Sequence, residues 1–204
     1  MINKKEILHE LKEHSPFTIT ATLISMGFII ISLRGNWIKE MIPIFYLFHP
    51  AHIILSSFVS SAIFYSYKKN IFLSIIVGIF ISIIVGSISD VILPYLGSSL
   101  FGIPISFHLP VIENSAIIFG AGLIGAIFGV AIKKTKLPHF LHVFISVFAS
   151  LFYIFAYSTT FSFVNLILIF VIVSISVVIP CCLGDIILPI LFKEKLKIKN
   201  KEAS

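Results

Sequence analysis

Charged side chains are scarce in this 204-residue chain: Asp, Glu, Lys and Arg make up 12% of it, whereas 58% is hydrophobic and the mean hydropathy is +1.09. A water-soluble domain carries about 25% charged residues, because they cover its surface. The composition therefore excludes a soluble enzyme and a disordered or fibrous chain. Cysteine occurs only as the adjacent Cys181 and Cys182, which also excludes a disulfide framework.

Long apolar runs fill the sequence instead. Runs of about 17–25 apolar residues are long enough to cross a bilayer as helices. The sequence predicts an all-α integral membrane protein with six transmembrane helices, at residues 17–33, 43–66, 71–97, 111–132, 138–158 and 163–192. The third contains Pro94 and the sixth contains Pro180 and Pro189, so we expect both to be tilted, broken or partly re-entrant.

The basic residues indicate how these spans are oriented. Of the 15 Lys and Arg residues, all but Arg34 and Lys39 lie before span 1, between spans 2 and 3, between spans 4 and 5, or after span 6. The positive-inside rule therefore predicts that both termini are cytoplasmic, in a cell (inner) membrane. Since topology explains the net charge of +6, we expect no nucleic-acid partner. Residues 1–13 are predicted to form an amphipathic surface helix, and residues 193–204 a basic tail.

An internal repeat contains six of the seven His residues and both Asp residues of the chain. The order His-x-Pro, His-x-x-His-x-x-x-Ser, Asp-x-x-x-Pro occurs twice, and the first His precedes the Asp by 76 positions in one copy and 77 in the other. The first copy comprises His14, His49, His52, Ser56 and Asp90, and the second comprises His108, His139, His142, Ser146 and Asp185. Each copy covers three spans, residues 14–97 and 98–192, so the second is inverted. Inverted repeats of this kind are typical of transporters.

The predicted orientation of the spans places these residues in two halves of the membrane, and each half is a predicted metal site. The outer half of the membrane is expected to hold His49, His52, Asp90 and His108, and the inner half His14, His139, His142 and Asp185. An ionised Asp at the centre of a membrane helix costs about 2.5–3.5 kcal/mol on insertion scales, so such residues are functional candidates. Imidazole and carboxylate ligands suit a divalent transition metal such as Zn, Fe, Mn, Co or Ni. The sequence leaves open whether the two clusters stay separate or form one binuclear site.

Further residues are close enough in sequence to join these clusters. Cys181 and Cys182 precede Asp185 by one turn. They are either thiolate ligands, which would favour Zn or Cu(I), or small buried residues without a ligand role. Glu113 is an extra ligand, a charge that attracts cations at the outer surface, or a first-turn Glu favoured by the helix dipole. Ser56 and Ser146 each follow a His pair by one turn and are candidate additional ligands.

The leading hypothesis is a transporter or channel for a divalent transition-metal cation that passes between the two clusters. Protonation of imidazole, whose ordinary pKa is about 6.5, would release the ion and allow proton coupling. The alternatives are an intramembrane metal-dependent hydrolase, a membrane substrate-binding subunit of a larger importer, and a haem protein. Catalysis is disfavoured because a reaction needs one site and not a mirrored pair. Expected partners are the lipid bilayer, the metal ion, and either a second copy in a homodimer or an energising subunit.

Overall fold

The fold is known from a computed structural model, which describes residues 16, 18–31, 41–132, 136–158, 165–181 and 184, with the backbone alone for residues 136–140. This part of the chain is almost entirely helical, apart from an extended stretch at 103–109 and an isolated β-bridge between Ile105 and Ser158. The predicted all-α class is thereby confirmed. The predicted surface helix at 1–13 and basic tail at 193–204 lie outside the described residues.

Eight helices follow one another in the described part of the chain. They are α1 (Thr18–Ile31), α2 (Met41–Lys68), α3 (Ile71–Ser87), α4 (Leu93–Leu100), α5 (Pro110–Glu113), α6 (Ser115–Ile132), α7 (Lys136–Tyr157) and α8 (Asn165–Cys181). A π-helical turn at Ile88–Ile92 joins α3 to α4, so that the two form one helix from Ile71 to Leu100. The third predicted span is therefore continuous through its proline.

Three helices are long and apolar enough to cross a membrane: α2, the continuous helix Ile71–Leu100, and α6. They coincide with the second, third and fourth predicted spans. Shorter apolar helices are formed by α1, by Leu141–Tyr157 within α7, and by α8. The burial pattern suits lipid, because serines are buried between the helices while large apolar side chains point outwards, as shown by Leu100 (82% exposed) and Phe72 (75% exposed).

Helix α2 packs against α3, α6 and α7. Its contact with α6 is close enough that a Cβ on Gly125 would collide with the backbone carbonyl of Ile54. Next to this contact the hydroxyl of Ser57 donates a 2.7 Å hydrogen bond to the carbonyl oxygen of Gly122. Small residues thus allow the two helices to approach, and a buried interhelical hydrogen bond joins them.

The opposite contact of α2, with α7, is aromatic. Phe45 of α2 is fully buried and packs edge-on against Tyr153 of α7 with their ring centroids 5.3 Å apart. Phe48 of α2 stacks on Phe148 of α7 at 5.3 Å. Beyond these rings, α2 carries three buried polar side chains, His49, His52 and Ser56.

Candidate metal centre

The π-helical turn places Asp90 in the interior of the bundle, where its side chain is fully buried. Pro94 explains the turn, because proline has no N–H to donate and its ring clashes with the carbonyl of the residue four positions earlier, which here is Asp90. Widening the helix by one residue removes that clash. Such π-turns occur frequently at functional sites.

The Asp90 carboxylate accepts four short hydrogen bonds. Its Oδ2 accepts from Nδ1 of His49 at 2.8 Å and from Nδ1 of His52 at 2.7 Å. Its Oδ1 accepts from the hydroxyls of Ser89 and Ser146, both at 2.7 Å. Two of these partners come from α2, one from the π-turn itself and one from α7, so a single carboxylate connects three segments of the chain.

These hydrogen bonds also determine the form of the imidazoles. An ionised carboxylate only accepts, so Nδ1 carries the proton in both rings and, in the neutral imidazole, Nε2 keeps a free lone pair. In His52, Nε2 lies 3.9 Å from Sγ of Cys181 at the end of α8. The His52 ring is parallel to that of His142 on α7, with 5.6 Å between centroids and 2° between planes.

His52, His142 and Cys181 form a buried group that can hold a metal ion. Each offers one ligand atom, these atoms lie within 4.8 Å of one another, and all three residues are 0% exposed. Tetrahedral zinc with the usual bond lengths separates a nitrogen and a sulfur ligand by roughly 3.6 Å. The 3.9 Å between His52 Nε2 and Cys181 Sγ is close to that value. A carboxylate that orients a ligating His, as Asp90 orients His52, is the usual outer partner in metal sites.

His108 and Glu113 belong to a different cluster. Nδ1 of His108 lies 3.2 Å from Oε1 of Glu113, which also accepts from the backbone N–H of Leu109. Oε2 of Glu113 accepts from the Tyr46 hydroxyl at 3.0 Å. The side chains of His108 and Glu113 are 41% and 36% exposed, in contrast with the buried centre around Asp90. Glu113 therefore fastens the extended stretch before α5 to the start of α2.

Aromatic rings connect this exposed cluster with the buried one. His108 stacks on Tyr157 at 4.3 Å, and Phe45 contacts Tyr157 at 6.0 Å. Phe45 in turn stacks on His49 at 5.5 Å. The Nε2 atom of His49 is buried and makes no hydrogen bond within the described part of the chain. In this conformation the rings of Tyr157 and Phe45 separate His108 from His49.

The two predicted clusters are only partly represented among the described side chains. His14, Asp185 and Cys182 lie outside the described residues, as does the side chain of His139. Ser56 is buried, and its hydroxyl has no hydrogen-bond partner within the described residues. Three residues of the predicted outer cluster, His49, His52 and Asp90, lie together with His142 of the predicted inner cluster. The candidate additional ligands Ser146 and Cys181 belong to the same buried centre. His108 does not.

Sequence reasoning missed Ser89, Ser150 and Tyr46. Ser89 donates to Asp90, and Ser150 donates to the backbone carbonyl of Ser89 at 3.0 Å. Serine is too common in these helices for its position alone to indicate a role. Tyr46 could have been identified, because it precedes His49 by one turn and so shares its helix face. The interpretation of the centre rests on its own chemistry, because comparison with protein-family models, curated proteins and solved structures finds no match to this chain.

Proposed function

We propose that this chain is a multi-pass membrane transporter or channel for a divalent transition-metal cation, built from two inverted repeats of three spans. The observation that carries the proposal is the buried contact of His52 with His142. These two residues are equivalent in the repeated His-x-x-His motif, and they stack with parallel rings inside an apolar helix bundle. In transporters built from inverted repeats, the substrate and ion sites lie at the interface between the repeats.

The depth of the centre supports this function. His49 and His52 follow the first residue of α2 by eight and eleven positions, which corresponds to about 12–17 Å along the helix axis. The hydrocarbon core of a bilayer is about 30 Å thick. A spanning α2 would therefore hold both imidazoles near the middle of the membrane, where substrate sites of secondary transporters lie.

The polar composition of the centre also supports cation binding. Buried ionisable side chains in a spanning segment are expensive, and they pair with one another or mark ion pathways. Here one carboxylate, three imidazoles and one thiol are grouped in the interior, and each of them is 0% exposed. The aromatic rings between His49 and His108 would then close the pathway towards the outer surface in this conformation.

An intramembrane metal-dependent hydrolase is the principal rival. It requires an open coordination position and a general base next to the metal-bound water. Among the described acidic residues, Asp90 already accepts four hydrogen bonds and Glu113 lies in the exposed cluster beside Tyr46. This placement favours transport over hydrolysis.

Metal analysis of the full chain, purified in detergent, tests the proposal. We expect the wild type to retain a transition metal that His52→Ala and His142→Ala each lose. His9→Ala is the matched control, because His9 lies outside the repeated motifs, and it should retain the metal. Reconstitution into vesicles that enclose a metal-sensitive dye then separates transport from hydrolysis. A wild type that binds no metal, or variants that bind it equally well, would contradict the proposal.

A further inference from the structure

We infer that the centre selects a thiophilic divalent ion, Zn²⁺, with Cys181 as its anionic ligand and Asp90 as a positioning residue outside the ligand set. This inference rests on the proposed function and adds the substrate class. Among the candidate ions, Mn depends on a carboxylate ligand, which only Asp90 would supply in this centre. The hydrogen bonds of that carboxylate remove the reason for including Mn.

The carboxylate of Asp90 has no acceptor position to spare. A carboxylate offers about four lone-pair sites, and the hydroxyls of Ser89 and Ser146 and the Nδ1 atoms of His49 and His52 use four. Direct coordination of a metal would require at least one of these buried donors to lose its partner, which costs about 1–3 kcal/mol. Asp90 therefore acts through His52, whose ring it orients.

Cys181 supplies the anionic ligand instead. Its sulfur lies 3.9 Å from Nε2 of His52 and 3.6 Å from the hydroxyl oxygen of Ser146, and the residue is fully buried. Ser146 also donates to Asp90, so the thiol is held on the ligand side of the same network. A set of two imidazoles and one thiolate suits Zn²⁺, whereas Mg²⁺ and Mn²⁺ prefer oxygen ligands.

Charge distinguishes Zn²⁺ from the monovalent Cu⁺, which also prefers such ligands. Metal-bound ligands are neutral imidazoles and a deprotonated thiolate. Together with the carboxylate of Asp90, a thiolate at Cys181 gives the centre two negative charges. A divalent ion neutralises both, whereas a monovalent ion would leave a net charge in a fully buried position, which is costly in a membrane.

Cobalt(II) is the probe for this inference, because its absorption spectrum reports both geometry and sulfur coordination. Titration of the detergent-purified full chain with Co²⁺ should produce intense tetrahedral d–d bands and a thiolate-to-cobalt charge-transfer band in the near ultraviolet. Stoichiometric Zn²⁺ should abolish these bands, whereas about a hundredfold excess of Mn²⁺ or Mg²⁺ should leave them unchanged.

Two serine variants locate the sulfur ligand. Cys181→Ser should remove the charge-transfer band. It should also weaken Zn²⁺ binding more than the loss of an outer partner does, which typically lowers metal affinity by about 10- to 100-fold. Cys182→Ser is the matched control and should keep the band. The wild-type spectrum provides a test that does not depend on the folding of either variant.

Several outcomes would overturn the inference. A wild-type cobalt spectrum without a charge-transfer band, displacement of Co²⁺ by Mn²⁺ as readily as by Zn²⁺, or loss of the band in Cys182→Ser alone would each exclude Cys181 as the selective ligand. In those cases divalent-ion binding, and with it the proposed function, would still stand. A wild type that binds neither Co²⁺ nor Zn²⁺ would overturn both.

Discussion

The contact between α2 and α6 allows a quantitative prediction for Gly125→Ala. The added Cβ would collide with the carbonyl oxygen of Ile54 and lie 2.8 Å and 2.9 Å from its carbonyl carbon and Cα. Non-bonded carbon atoms ordinarily lie about 3.5–4.0 Å apart, so the two helices would have to separate by roughly 0.7 Å or more. Because the contacted atoms are backbone, no side-chain rotation can relieve the clash.

The free energy of unfolding should fall by about 2–4 kcal/mol. Overpacking typically costs about 1–3 kcal/mol. Separation of the helices would also weaken the hydrogen bonds from Ser57 to Gly122 (2.7 Å) and from Ser61 to Ala126 (3.0 Å), which flank Gly125. Interhelical hydrogen bonds in membranes contribute about 0.6 kcal/mol each. For a chain of this size the expected loss corresponds to a fall of roughly 4–16 °C in Tm.

Thermal unfolding in detergent, followed by circular dichroism, measures this change. Gly120→Ala is the matched control on the same helix, because a Cβ there meets nothing within 4 Å. Its Tm should stay constant or rise slightly, since Ala favours a helix by about 1 kcal/mol over Gly. Equal Tm values for the two variants would refute the close contact between α2 and α6.

Three further predictions concern the metal centre. Asp90→Asn should weaken Zn²⁺ binding by about 10- to 100-fold in a dye-competition assay but keep the thiolate-to-cobalt band, because it removes only an outer partner; complete loss of the band would instead identify Asp90 as a ligand. Ser146→Ala removes one hydrogen bond to Asp90 and should weaken binding roughly threefold, whereas Ser66→Ala, on the exposed face of α2, should bind as the wild type does. The apparent affinity for Zn²⁺ should rise between pH 5.5 and pH 7.5, because protons compete with the metal for imidazole nitrogen and thiolate sulfur; an affinity independent of pH would contradict this ligand set.

Local sequence patterns predicted the all-helical class and the positions of the three long apolar helices. Apolar runs indicated the positions of α2, the helix Ile71–Leu100 and α6, because spanning length and composition are properties of a continuous segment. The repeated motif identified His49, His52 and Asp90, which the structure brings together in hydrogen-bond contact. The i, i+3 spacing of the two His residues suffices to place them on one helix face.

The partners across helices were beyond the reach of the sequence. Spacing along one helix does not say which face of another helix it meets, so nothing in the motifs showed that His142 and Cys181 would lie beside His52. The role of Asp90 also depended on tertiary structure, because the number of donors around a carboxylate is set by packing.

Composition and apolar run lengths thus determined that this is a helical chain suited to a membrane, and the repeated motif indicated His49, His52 and Asp90 as polar residues to examine. Packing decided how those residues are used: the close backbone approach at Gly125 holds α2 against α6, and the π-turn at Ile88–Ile92 aims Asp90 at α2 and α7. The physical reason is that a helix forms from interactions within four residues, whereas a buried site forms from contacts between segments far apart in the chain.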